Sequence, residues 1–216
     1  RQEKMEGFEI GYRKQFAPQV GVDLSIYRYR YSDIVSGTQG STQFPVFLYG
    51  IPFAYQNIDR CNCASGWLSG AELSVDWLLT PIWRVQLSYA YTHVNMDDSS
   101  NPIAQAQGRN QERSTPRHYG SLRSQWNISS SQQFDAWIRG SSGLYRILTP
   151  YTTEIHVPGY VTLDLRYAFK LNKDLELALT GRNLVGPRRI EYVMDYVPAT
   201  PVIIEPSLLL SARWKF

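Results

Sequence analysis

The chain has 216 residues, a formal charge of +3 and a mean hydropathy of −0.33, and 13% of it is Tyr, Trp or Phe. No stretch approaches the ~18–20 consecutive apolar residues of a membrane-spanning helix, which excludes a helical membrane protein but not a barrel, where only every second residue has to be apolar. Lys and Arg are spread along the chain and nearly balanced by acids, so nucleic acid is not the expected partner.

Taken in chain order, nine segments alternate apolar and polar residues with period two, as strands do. Segment 3–15 carries Phe8, Ile10 and Tyr12 on one face, and 20–36 carries Val20, Val22, Leu24 and Ile26. In 64–79, Leu73, Val75, Trp77 and Leu79 oppose Glu72, Ser74 and Asp76; in 82–97, Trp83, Val85, Leu87, Tyr89 and Tyr91 oppose Arg84, Gln86, Ser88 and Thr92. The alternation is weaker over 114–128 and 132–147. It returns over 157–171, where Val161, Leu163, Leu165, Tyr167 and Phe169 oppose Thr162, Asp164, Arg166 and Lys170, and over 174–185, where Leu175, Leu177 and Leu179 oppose Glu176, Thr180 and Arg182. Segment 203–216 closes with Leu208, Leu210, Ala212, Trp214 and Phe216 against Ser211, Arg213 and Lys215.

The connections alternate too. Short ones fall near Phe16–Gln19, Thr80-Pro81, Ser129–Ser131 and Asn172–Asp174, and long ones over 37–63, 98–113, 148–156 and 186–202. Short turns at one end and long loops at the other are the layout of an outer-membrane barrel. The alternation Phe44, Val46, Leu48 inside the first long loop leaves a tenth strand open, but only a loop there keeps the short–long rhythm intact.

Nine antiparallel strands cannot close on themselves, because the first and last would meet in parallel. Backbone groups left unpaired in hydrocarbon cost several kcal/mol each, so the expectation is a piece of a larger barrel. The chain opens on Arg1 with no charged-then-apolar leader, so a signal peptide is expected to be missing from it.

Glu6-Gly7-Phe8-Glu9-Ile10-Gly11-Tyr12-Arg13 resembles the E-G-x-E-x-G-x-R strand of TonB-dependent receptors. Gly70-Ala71-Glu72-Leu73, Tyr160 to Arg166, Gly181-Arg182-Asn183-Leu184 and Arg213-Trp214-Lys215-Phe216 resemble four further strands of that family, in its order. The resemblance implies an all-β, antiparallel up-and-down transmembrane barrel of 22 strands, of which residues 1–216 supply about the last nine, without the plug domain or the TonB box. It implies an outer-membrane receptor that imports a scarce nutrient, most often a ferric siderophore, with no cofactor of its own. The rival expectation is a small autonomous barrel or a truncated, transport-inactive one.

Candidate sites follow. Arg84, Arg123, Arg139, Asp164, Arg166, Glu176, Arg182 and Arg213 share the polar face, which in the family packs on the plug. Cargo is expected at the long loops, where Arg pairs with anions and aromatic faces pack on rings: Tyr55, Arg60, Trp67, Arg109, Arg113, Tyr151, Arg188, Arg189 and Tyr192. Leu208, Leu210, Trp214 and Phe216 resemble the terminal signal read by the barrel assembly machinery. Expected partners are thus outer-membrane lipid, that machinery, the TonB system through the plug, and the cargo. Cys61 and Cys63 sit in a long loop as a small staple, two free thiols or, last, metal ligands. Three scattered histidines, His93, His118 and His156, and the absence of G-x-S-x-G or H-E-x-x-H argue against catalysis.

Overall fold

The structure, a computed structural model, describes residues 2–148, 154–193 and 200–216. Its strands are β1 (Lys4–Ala17), β2 (Val20–Leu48), β3 (Ile51–Thr80), β4 (Trp83–Met96), β5 (His118–Asn127), β6 (Gln132–Ser141), β7 (Leu144–Leu148), β8 (Glu154–Val157), β9 (Tyr160–Lys170), β10 (Leu175–Arg182) and β11 (Ser207–Trp214), with one helix, α1 (Pro102–Arg113). Nine strands form one antiparallel sheet in the order β1-β2-β3-β4-β5-β6-β9-β10-β11, while β7 and β8 pair separately. Each strand of the large sheet pairs with the next along the chain except β6, which skips β7 and β8 to pair with β9, and β1 and β11 are its two edges.

The register shows that the alternation is one property of the whole sheet. Across it, Leu24↔Leu73↔Tyr89 and Leu122↔Ile138↔Leu163 fall on one face, as do Phe134↔Tyr167↔Leu179↔Leu210. That face is apolar and exposed: Phe8, Ile10, Trp77, Trp83, Leu122, Trp126, Val161, Leu179, Leu208 and Trp214 are all open to the outside. An exposed apolar surface spanning nine strands and rich in Trp and Tyr is what a hydrocarbon surround requires, and water forbids. The polar face is crowded instead. Asp135, Thr162, Ala168 and Ala178 are buried on it, as expected of a sheet curving toward that side. Among the described residues no helix is long and apolar enough to cross a membrane.

Three expectations need correction. Residues 37–63 are not a loop: β2 and β3 run through them as one hairpin, closed by Tyr49 and Gly50, both at positive φ, the two-residue turn that matches strand twist. No tenth strand is added; two existing strands are lengthened, with bulges at Gln39/Thr42 and Gln43/Val46 absorbing the irregular sequence. Residues 98–113 hold a helix, started by the Asn101 side chain, which accepts from the backbone N–H of Ile103 and Ala104, and by Pro102 at its first position. The segment 132–147 is not continuous: β6 stops at Ser141, and β7 leaves the sheet to pair with β8, where a loop was expected.

The two faces predict unequal tolerance to charge. In the membrane, Leu165→Arg on the apolar face of β9 should destabilise by roughly 2–4 kcal/mol, and Thr180→Arg on the polar face of β10 by much less. Thr162 shares that polar face but is 0% exposed, so Thr162→Arg should behave as an overpacked core change rather than a tolerated lumenal one. Denaturant titrations in bilayers check all three; equal costs for Leu165→Arg and Thr180→Arg would contradict the lipid-facing assignment.

Candidate functional site

Beyond Ser32 of β2 and Gly66 of β3 the neighbouring strands end, and the hairpin continues as a two-stranded ribbon. Its 16 further residues on β2 project it by roughly 50 Å at ~3.3 Å per residue. From Ile34 to Ile58 it carries no charged residue, and Phe44, Phe47, Tyr49 and Ile51 are exposed at its tip.

Helix α1 folds against the base of this ribbon and is pinned at three points. The Oε1 of Gln107 accepts from Ser36 Oγ at 2.5 Å and from the Gly37 N–H at 3.0 Å. The Met96 N–H donates to Glu112 Oε1 at 2.6 Å. Asn101 Nδ2 donates to the Gly37 carbonyl and lies 3.9 and 3.8 Å from the sulfurs of Cys61 and Cys63, which form a disulfide. Between α1 and the sheet lies a cleft of about 400 Å³, bordered by Tyr31, Ile34, Leu68, Val94, Met96 and Gln107. Gly108 lets the helix come close there: a Cβ on it would lie 3.1 Å from Met96 Cβ, a tight contact.

On the apolar-facing side of the same rim, Arg28 and Arg30 stand over the Trp67 ring at 4.3 and 4.9 Å. Arg30 also donates to both oxygens of Asp97, at 3.0 and 2.5 Å, and Ser65 Oγ donates to the second at 2.6 Å. These bonds, that from Arg30 first, hold the Asp97 carboxyl below the usual aspartate range. Outward arginines directly above Ile26 mark the upper limit of the apolar belt.

The polar face carries ion pairs at successive registers. Arg13 pairs with Asp23 and Arg84 with Asp76; Arg139 reaches Asp164 at 2.8 Å and Arg166 reaches Glu176 at 2.9 Å. Asp135 lies 3.8 and 3.9 Å from Arg123 and Arg166. All eight polar-face residues expected from the sequence share this surface by register, and five of them line a basin of about 440 Å³ with Trp137. A second polar motif ties the sheet near the loop end: the Asn183 N–H donates to Asp164 Oδ1, and the buried Arg189 donates to Asn183 Oδ1 and Glu191 while lying over the Tyr160 ring.

The expected cargo residues are not brought together. Trp67 borders the α1 cleft, while Arg109 and Arg113 lie on α1, Arg113 paired with Glu154 at 3.7 Å. Tyr55 and Arg60 are strand residues, facing Gln43 and Gly37. Arg188 is exposed and paired with Glu205, Tyr192 is exposed, and Arg189 is an internal tie. Tyr151 lies outside the described residues. The cleft residues Tyr31, Val94, Met96 and Gln107 went unmarked by the sequence; the Asn101-Pro102 helix start was the signal that would have located their cover. Among the described residues no three or more His, Cys, Asp or Glu side chains gather as a metal site.

The sequence matches the family model described as TonB dependent receptor-like, beta-barrel, over residues 1–184. No curated protein matches. Among solved structures, the ferric-catecholate import receptor Fiu of E. coli K12 superposes with a TM-score of 0.73 at 19% identity, over 99% of this chain and 28% of that one. The siderophore receptor PiuA of Acinetobacter baumannii gives 0.67 at 18% identity, over 98% and 28%. The copper transporter OprC gives 0.66 at 13%, over 99% and 31%. The chain thus spans under a third of the length of these structures.

The pins on α1 predict its behaviour. Gln107→Ala strips the acceptor from buried Ser36 and Gly37, at about 1–3 kcal/mol, and should speed hydrogen exchange at Gly37 and proteolysis within 98–117; unchanged exchange would show that the pin is unimportant. The Asp97 tie contributes fully above the ordinary aspartate range, about 3.9, and is lost as pH falls through the lowered value. Asp97→Asn should therefore loosen the rim at neutral pH, and acid should loosen the native protein toward the variant.

Proposed function

From the premise that the chain belongs to the TonB-dependent receptor β-barrel family, we propose that it is the C-terminal wall of an outer-membrane receptor that imports a ferric siderophore. The family is one of transport receptors of the outer membrane. The observation that carries the reading is the division of one nine-stranded sheet into an exposed apolar face and an ion-paired polar face, in the fold of siderophore receptors. Two free sheet edges support placing this chain within a larger 22-stranded barrel, since hydrocarbon tolerates no unpaired strand.

In this reading the polar face meets a plug domain supplied elsewhere in the receptor, through which TonB delivers energy. Arg182 and Arg213 have no ion pair among the described residues, and each can pair with a carboxylate on that plug. The outward Leu208, Leu210, Trp214 and Phe216 are more than two-thirds exposed, as a strand handed to the barrel assembly machinery needs to be. The cargo meets the loop end, where Arg60 and Arg109 lie clear of the lipid belt. A copper transporter shares the fold at a TM-score of 0.66, beside 0.67 for the siderophore receptor PiuA, so cargo class rests on the loop-end chemistry and not on the fold.

Cells carrying the full receptor under iron limitation should take up radiolabelled iron from a siderophore chelate, and cells lacking the gene should not. Arg109→Ala should weaken chelate binding about tenfold, ~1.4 kcal/mol, through the loss of one charge-assisted contact. Uptake of ionic copper with no siderophore among catecholate, hydroxamate and mixed chelates would reject the siderophore assignment.

A further inference from the structure

Resting on the receptor reading, we infer that the cleft under α1 seats an uncharged, ring-bearing part of the cargo and selects against anionic groups. None of the residues bordering the cleft carries a charge; Tyr31, Ile34, Val35, Leu68, Val94 and Met96 supply most of its wall. Its volume, about 400 Å³, lies within the range of small-molecule pockets, which are mostly apolar with a few placed polar groups. Those groups are here the amides of Gln107 and Gln111 on α1, which offer hydrogen bonds without charge. An anion entering such a lining loses water and gains no counter-charge, a cost far above that of a neutral ring.

The contrast with the basin on the polar face sharpens the assignment. That basin, of about 440 Å³, is bordered by Arg123, Arg139, Arg166 and Arg182 as well as Asp135 and Asp164. A further concavity of about 420 Å³ is bordered by Glu9, Arg13, Asp23 and Glu72, so of these three, similar in size, only the one at the loop end is free of charge. The cleft is also a built feature, since three pins fix α1 over the strands that floor it. Gly66 and Gly108 flank Met96 on both sides, and a Cβ at either would come within 2.7 Å of Met96 Sδ or 3.1 Å of its Cβ. Their absence of side chains leaves the thioether at the floor, where sulfur packs well against an aromatic ring.

The test uses the full receptor in lipid nanodiscs and two fluorescent probes with one ring system. The probes are 7-amino-4-methylcoumarin, which is neutral, and its 3-acetic acid derivative, which is anionic; anisotropy is read against empty nanodiscs. The neutral probe should bind at least tenfold more tightly than the acid. Val94→Trp, which fills the cleft, should weaken the neutral probe at least tenfold. Gln111→Arg, at an exposed helix position, should leave the fold intact and bring the acid close to the neutral probe. Equal binding of the two probes by the native receptor, or neutral binding untouched by Val94→Trp, overturns the inference. Normal chelate uptake by Val94→Trp also overturns the cleft as a cargo seat while leaving the receptor reading in place. No chelate uptake by the native receptor, with the coumarin pattern intact, instead overturns the receptor reading.

Discussion

Hydrocarbon offers the backbone no hydrogen bonds, and the rest of this chain's architecture follows from that constraint. Each N–H and C=O inside the lipid belt has to find a partner on a neighbouring strand. Each strand of the large sheet pairs with the next strand of that sheet from β1 to β11, with its bulges confined to a turn or to the region above the belt. Side chains then have only two directions available, lipid and lumen. A one-residue slip would place Arg166, Glu176 or Arg84 in hydrocarbon, so the register of every pair is held by the same penalty.

The family-like motifs become intelligible in these terms. Gly7 and Gly70 lie opposite Tyr29 and Tyr27 on the lumenal face, where those rings, stacked 5.2 Å apart, fill the space a Cβ would take. Glu9 accepts from Ser25 and from Tyr29, tying β1 to β2. Asp164 divides its oxygens between Arg139 and the Asn183 N–H, joining two motifs that lie apart in sequence, and Asn183 adopts positive φ to do so. These residues solve pairing and packing at the sheet.

Irregular structure collects where the pairing rule relaxes. Above the belt, water satisfies the backbone, so a two-stranded ribbon can extend alone and a helix can cross the sheet. That freedom gives the loop end its cleft, its charge-free ribbon and the Arg30–Asp97–Ser65 rim, while the wall below stays regular. The irregular loop end is thereby separated from the regular wall: its chemistry can change without disturbing the register of the strands in the lipid belt.

The sequence by itself determined the nine strands of the large sheet, the apolar and polar faces of its clearly alternating segments, the turn end and the loop end. Period-two alternation is a local property, and a lipid surround enforces it on every strand, so it can be read one segment at a time. Tertiary structure alone decided the rest. Whether 37–63 was loop or strand depended on partners across a hairpin, because its alternation is broken by bulges and carries no lipid-facing pattern. Arg189 reads as a loop cation in sequence, and only the positions of Asn183, Glu191 and Tyr160 make it an internal tie. The cleft draws on β2, β3, β4 and α1 at once; no single stretch of chain encodes a cavity bounded by four.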